Sequence, residues 1–287
     1  MVRFPSLLML LLLSFALSAQ RIHVGLFGGL SAYNGDLTEK LFQKKSINGV
    51  IGITGNYELT DNIILRAGFT YTVVGAADRF NKDSGLIIRN LSFETSIYEF
   101  SGMVEYYLNN LYERRFSPYV FAGLAAFHFD PYTNYNGSKV HLRPLSTEGQ
   151  GLPGYNDRKP YSLFQMAIPF GAGAKYAITD NIHLGIEVSF RKLFTDYLDD
   201  VSKSYVDPAD LLAAKGQLAV DISYRGDEIP GGNPVYPPKD IQRGSPDNKD
   251  IYYFLGLHLT YRLGGGIGSW GGGGGRKIKT GCPPNPM

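Results

Sequence analysis

Seven ionisable residues, Arg66, Glu99, Glu105, Lys175, Glu187, Arg191 and Arg262, lie on stretches that otherwise alternate with bulky apolar side chains. Mixed charges in such a setting either do acid–base chemistry, with pKa values pushed apart by burial, or neutralise one another in a closed interior. A Ser-His-acid set among them would support acyl hydrolysis or transfer. The five histidines, His23, His128, His141, His183 and His258, are scattered, and none stands beside a G-x-S-x-G elbow, an H-E-x-x-H pair or a Cys/His metal spacing. Charge pairing is therefore the expectation. Asp196, Asp199 and Asp200 offer the oxygen ligands calcium takes, but EF-hand spacing is absent, with no turn glycine and no closing glutamate. That run reads as a hydrogen-bonded loop base, and no metal is assigned. The glycines 264–266 and 271–275 do not match G-x-x-x-x-G-K-[ST] and read as a linker, so no cofactor is expected.

The elements that carry these charges are strands. From Asn181 to Arg191 every apolar residue sits at an even position and every polar residue or glycine at an odd one. Period-two alternation over such a length is a strand signal. The same rule holds over Ile63 to Val73 and near Tyr253 to Leu263, and more weakly over Ile22–Ala32, Gly49–Tyr57, Thr95–Tyr107, Pro118–Phe129 and Ser162–Tyr176, giving eight strands. Strands of roughly ten residues suit a tilted crossing of a bilayer. Tyr and Phe at their ends fit an aromatic girdle.

Connections alternate in length. Leu59 to Asn62, Leu108 to Arg115 and Ile178 to Asn181 are short, whereas about 34–48, 76–91, 130–161 and 193–248 are long. Outer-membrane barrels place short turns in the periplasm and long loops outside. The expected fold is an all-β, eight-stranded antiparallel up-and-down transmembrane barrel with a compact ionic lumen and no pore, since a barrel of this size is filled by its side chains. A soluble ligand-binding barrel would carry the opposite polarity, apolar inside. Asn56 to Leu65 and Lys175 to Leu184 share a Tyr-x-x-Thr-Asp-Asn-Ile hairpin, a common turn or an internal duplication. In the last loop, Asp207-Pro208 followed by an acidic turn, Lys215 and Gly216 predicts a short helix. The Pro- and Gly-rich stretch 229–246 reads as extended or disordered.

Met1-Val2-Arg3, the apolar run Leu7 to Leu17 and the small-residue zone ending at Gln20 predict a secretory signal over 1–19. The barrel then occupies 20–263, and 264–287 forms a Gly-rich periplasmic tail carrying Arg276, Lys277, Lys279 and Cys282. Composition agrees: 28 Lys+Arg against 26 Asp+Glu gives no field for nucleic acid. One cysteine excludes an intramolecular disulfide scaffold, and as a lone thiol in an oxidising compartment Cys282 is either free or an intermolecular partner.

The run Thr195-Asp196-Tyr197-Leu198-Asp199-Asp200-Val201-Ser202, with Tyr205-Val206-Asp207, Ala32-Tyr33-Asn34-Gly35-Asp36-Leu37 and Gly281-Cys282-Pro283, resembles the PorG family of outer-membrane barrels in the type IX secretion system of Bacteroidetes. The resemblance spans nearly the whole mature chain. It implies a non-enzymatic secretion component that associates with a periplasmic ring lipoprotein and its partner protein, with membrane lipid around the barrel and no small-molecule substrate. The alternatives are an OmpA-like structural or adhesion barrel and a barrel-embedded lipid-modifying enzyme.

Overall fold

A computed structural model describes residues 22–38 and 43–263. The signal segment, the tail and its Arg276, Lys277, Lys279 and Cys282 lie outside the described residues.

Eight strands close into one antiparallel barrel, β1 (Ile22–Asn34), β2 (Asn48–Glu58), β3 (Ile63–Ala77), β4 (Ser92–Tyr107), β5 (Phe116–His128), β8 (Phe164–Ala177), β9 (Ile182–Leu193) and β10 (Ile251–Arg262). Each pairs with its sequence neighbour among these eight, and β1 pairs with β10 to close the ring. Closure leaves no unpaired edge, which a backbone in lipid requires. The expected fold class is what forms. No helix of the described residues is long and apolar enough to cross a membrane.

Strict alternation sets the two faces. Leu26, Ile53, Phe69, Phe100, Leu124, Phe170, Ile186 and Leu257, one from each strand, are exposed. A continuous apolar belt of that kind exceeds what water-soluble surfaces carry and is matched by lipid. Tyr57, Tyr106, Phe116, Tyr176 and Tyr261 are exposed beside the short turns, where they form one aromatic ring. The two repeated hairpins fold alike: the hydroxyls of Thr60 and Thr179 each accept from the amides two and three residues on.

The long-loop end is more structured than the sequence suggests. The third loop contains a hairpin, β6 (Pro131–Tyr135) and β7 (Ser138–His141), that extends the barrel wall by pairing with β4. Its turn is Asn136-Gly137 with φ of 49° and 76°, the left-handed pair that a two-residue hairpin demands. The second loop holds α1 (Ser84–Arg89), capped by Asp83. In the fourth loop α2 (Pro208–Lys215) starts on the expected Asp207 cap, whose carboxylate accepts from the Ala209 amide at 2.8 Å, and α3 (Gln217–Ser223) follows directly.

The reading of 229–246 as extended or disordered is corrected. The stretch is irregular but packs back on the loops: Tyr236 joins Tyr205 and Tyr224 in an aromatic cluster, Gln242 bridges to Ser204, and Arg243 is buried. Proline and glycine remove regular ladders without preventing burial of these anchors.

Candidate functional site

Four of the seven predicted charges meet near the short-turn half of the lumen. The Arg66 guanidinium lies 2.9 Å from Glu105 and 2.7 Å from Glu187, and Lys175 lies 3.6 Å from Glu105. All are buried. Tyr107 donates to Glu105 at 2.6 Å and Tyr119 to Glu187 at 2.8 Å. Arg66 also stacks over the Phe121 ring, 4.8 Å from its centroid. Glu105, Glu187 and His258 bring ligand atoms within 4.8 Å of one another, but the cation among them is the Arg66 guanidinium.

Two more charges pair further along. Arg191 contacts Glu99 at 3.0 Å, Tyr252 donates to the same carboxylate at 2.6 Å, and the guanidinium lies 3.8 Å from the Phe254 centroid. Arg262 departs from the expected group. It continues the inward parity of β10 but sits on the last rung, opposite His23 of β1, half-buried over the Tyr112 ring at the short-turn mouth. There Glu58 meets His23 at 2.8 Å and accepts from Tyr112.

Above the lumen a plug of Ile97, Phe127, Phe129, Tyr252 and Phe254 separates it from a second polar region. This cap contains the family-like run. Glu148 accepts from the amides of Ser202 and Lys203 at 3.0 Å each and faces Arg243 at 3.1 Å. Burial works against the charge of Arg243, and Glu148 and Asp200 together outweigh it. Asp200 accepts from Thr147 at 2.5 Å and Tyr161 at 2.7 Å, yet burial still lifts its carboxyl to about 6. Leu198 is fully buried and gives its amide to Asp250, while the Thr195 hydroxyl accepts from the Tyr197 amide and Tyr197 stacks on Tyr161. Asp199 accepts from Tyr33 and from the Val201 amide. Asp196 is buried, and its carboxyl is lifted to about 7, first by burial and then by the charge of Asp36. The run is thus a loop base, as its residue types suggest, built into a buried core.

Sequence reasoning did not find Tyr107, Tyr119 and Tyr252 as partners of lumen carboxylates, because tyrosines at strand ends read as girdle. Parity could have found Tyr107, which shares the face of Glu105 two residues away. Glu148 and Arg243 sit in loops with no period to betray them.

A family model matches residues 2–212, about three quarters of the chain. The chain belongs to that family, a domain of unknown function (DUF6089). No curated protein matches it. Among solved structures, the chain is similar to Neisserial surface protein A, at 12% identity and a TM-score of 0.43, covering 84% of this chain and 97% of that one. It is also similar to OprG of Pseudomonas aeruginosa, at 11% and 0.39, covering 85% and 98%. Ail of Yersinia pestis gives 10% and 0.37, covering 84% and 99%.

Proposed function

We propose that this chain is a non-enzymatic outer-membrane component of a protein secretion machine of the type IX kind, with its long loops outside the cell. In this reading it anchors or contacts a periplasmic lipoprotein-containing ring through its short turns and its C-terminal tail. The observation that carries the reading is the sealed lumen: Glu99, Glu105 and Glu187 are each committed to a cation and to a tyrosine hydroxyl. A barrel filled in this way offers no route for solute and leaves none of these three carboxylates uncommitted, so its work falls to its two ends. The choice of partner rests on the resemblance carried by the PorG-like residues, of which Asp36, Leu37 and the 195–202 run build the cap at the end away from the ring. The tail residues Arg276, Lys277, Lys279 and Cys282 are the contact candidates on the periplasmic side.

The test is a mild-detergent pull-down of the tagged protein from outer membranes. The ring lipoprotein and its partner should co-purify, and removing residues 264–287 should release them while the barrel stays folded. Recovery of the barrel alone, from membranes whose ring remains intact, would overturn the reading. It would favour an OmpA-like surface barrel, for which the cleft of about 470 Å³ lined by Arg89, Tyr205 and Tyr224 in the cap is the natural contact site.

A further inference from the structure

Asn34 of β1 stands opposite Ile251 of β10, and Ile251 stands opposite Lys192 of β9. Three adjacent strands therefore end on one rung, and the residues just beyond it are Asp36, Asp250, Asp196 and Asp199. The last three are 1–3% exposed. The Tyr33 hydroxyl lies 2.6 Å from a carboxylate oxygen of Asp199 and 2.8 Å from one of Asp250. A phenol carries one hydrogen, so it cannot donate fully to both. Asp196 is worse served: neither of its carboxylate oxygens has a hydrogen-bond partner. The Ser202 hydroxyl is near enough to favour its charge, more strongly than the Asp36 charge opposes it, but makes no bond of normal geometry. Among the described residues no Lys, Arg or His forms an ion pair with any of the four aspartates. The Lys249 ammonium is turned to the Pro246 carbonyl.

Three buried carboxylates that share the Tyr33 hydrogen and two backbone amides, from Leu198 and Val201, and that form no ion pair are a large cost unless a cation or protons join them. We infer that the long-loop end holds a divalent metal cation of the calcium type on Asp196, Asp199 and Asp250, with Asp36 at its rim. Calcium takes six to eight oxygens from carboxylates, carbonyls and water in a flexible shell, which suits loop aspartates better than the strict octahedron of magnesium does. The unpartnered oxygens of Asp196 are the ligands this cluster has to spare. The carboxylates are less tightly gathered than the lumen trio, so the ion would draw the Asp196 side chain inward. Two glycines let the backbone pack directly against this cluster. A Cβ on Gly35 would collide with the Tyr33 hydroxyl and the Asp250 carboxylate, and one on Gly244 would collide with Asp36. Burial followed by the neighbouring acid raises the carboxyls of Asp250 and Asp199 well above their ordinary range, as expected of a site whose counter-charge has yet to be added. Bound there, the ion would tie the ends of β1, β9 and β10 to the fourth loop.

The experiment uses the full mature chain refolded in detergent free of lipopolysaccharide, so that cations held by lipid phosphates do not contribute. Terbium is titrated in as the probe, with its luminescence excited through nearby tyrosines such as Tyr33. One terbium per chain should bind and be displaced by calcium but poorly by magnesium. Asp196→Asn should weaken binding at least about tenfold, since carboxylate number tunes such affinities, whereas exposed Asp227→Asn should not change it. Heat-modifiable gel mobility reports that each variant barrel is folded. Should Asp196→Asn fail to refold, Asp199→Asn and dialysis of the wild type against radioactive calcium read the same site. Equal affinity in Asp196→Asn and wild type, or no calcium-displaceable signal at millimolar calcium, would overturn the proposal and leave shared protons as what neutralises the cluster.

Discussion

Glu105 in the lumen and Asp196 in the cap are both buried carboxylates in polar surroundings, but Glu105 lies between Arg66, Lys175 and the Tyr107 hydroxyl, whereas Asp196 forms no ion pair and has only the Ser202 hydroxyl nearby, short of a well-formed hydrogen bond. The contrast extends to their neighbours. In the lumen Glu99, Glu105 and Glu187 face Arg66, Arg191 and Lys175, a balanced set. In the cap Glu148, Asp200 and Asp36 share Arg243, Asp196, Asp199 and Asp250 form no ion pair, and the nearby Arg89 is already paired with Asp78 at 2.7 Å. A ladder of strands repeats at fixed spacing, so register can set acid against base rung by rung. Loops lack that rule, and a buried charge left over in a loop points to a ligand or a proton more than to a fixed partner.

The largest effect should come from unbalancing the lumen. Arg66→Leu leaves Glu105 and Glu187 facing each other, and loss of one partner of a buried pair typically costs about 3–5 kcal/mol. Urea unfolding in vesicles should show that loss, and a variant as stable as wild type would break the claim of a balanced lumen. Arg243→Leu should cost a similar order, about 3 kcal/mol, but confined to the cap: limited proteolysis should cut within 194–250 while heat-modifiable mobility persists. Tyr252→Phe keeps the ring packing and removes the bond to Glu99, for about 1.5–3 kcal/mol in the barrel, measured by the same unfolding curves. Asp207→Ala, which removes only the cap of α2, should cost about 1 kcal/mol, seen as faster amide exchange over 208–212 with the lumen unaffected.

The lumen was largely legible because alternation alone assigns Arg66, Glu99, Glu105, Lys175, Glu187 and Arg191 to one face. Parity says which way a side chain points but not whether its rung is still inside, which is why Arg262 falls at the mouth beside Tyr112. The tyrosines that complete the pairs were hidden by having two plausible homes, girdle and lumen. Asn136-Gly137 carried a clear hairpin signal inside a segment read as plain loop. The cap was the least legible part. Glu148 and Arg243 are brought together across 95 positions, and the aspartates gather only because β1, β10 and β9 end together, a fact of register rather than of local sequence.

The difference between the two regions is tested most directly by hydrogen exchange of the detergent-refolded chain, with divalent cations chelated, from about pH 5 to about pH 8 after correction for intrinsic rates. Burial, helped by the charges of Asp36 and Glu148, lifts Asp196 to about 7 against the Ser202 hydroxyl and the charge of Lys249. Burial lifts Asp200 to about 6 even against Arg243, Thr147 and Tyr161. Folded, these groups hold more protons than when the cap opens, so cap stability is greatest in acid and falls as pH rises from about 4 through about 7. The account predicts faster exchange in 196–202 and 243–250 at the higher pH, with β4 and β9 unchanged. Equal response of strands and cap, or none in either, would contradict it.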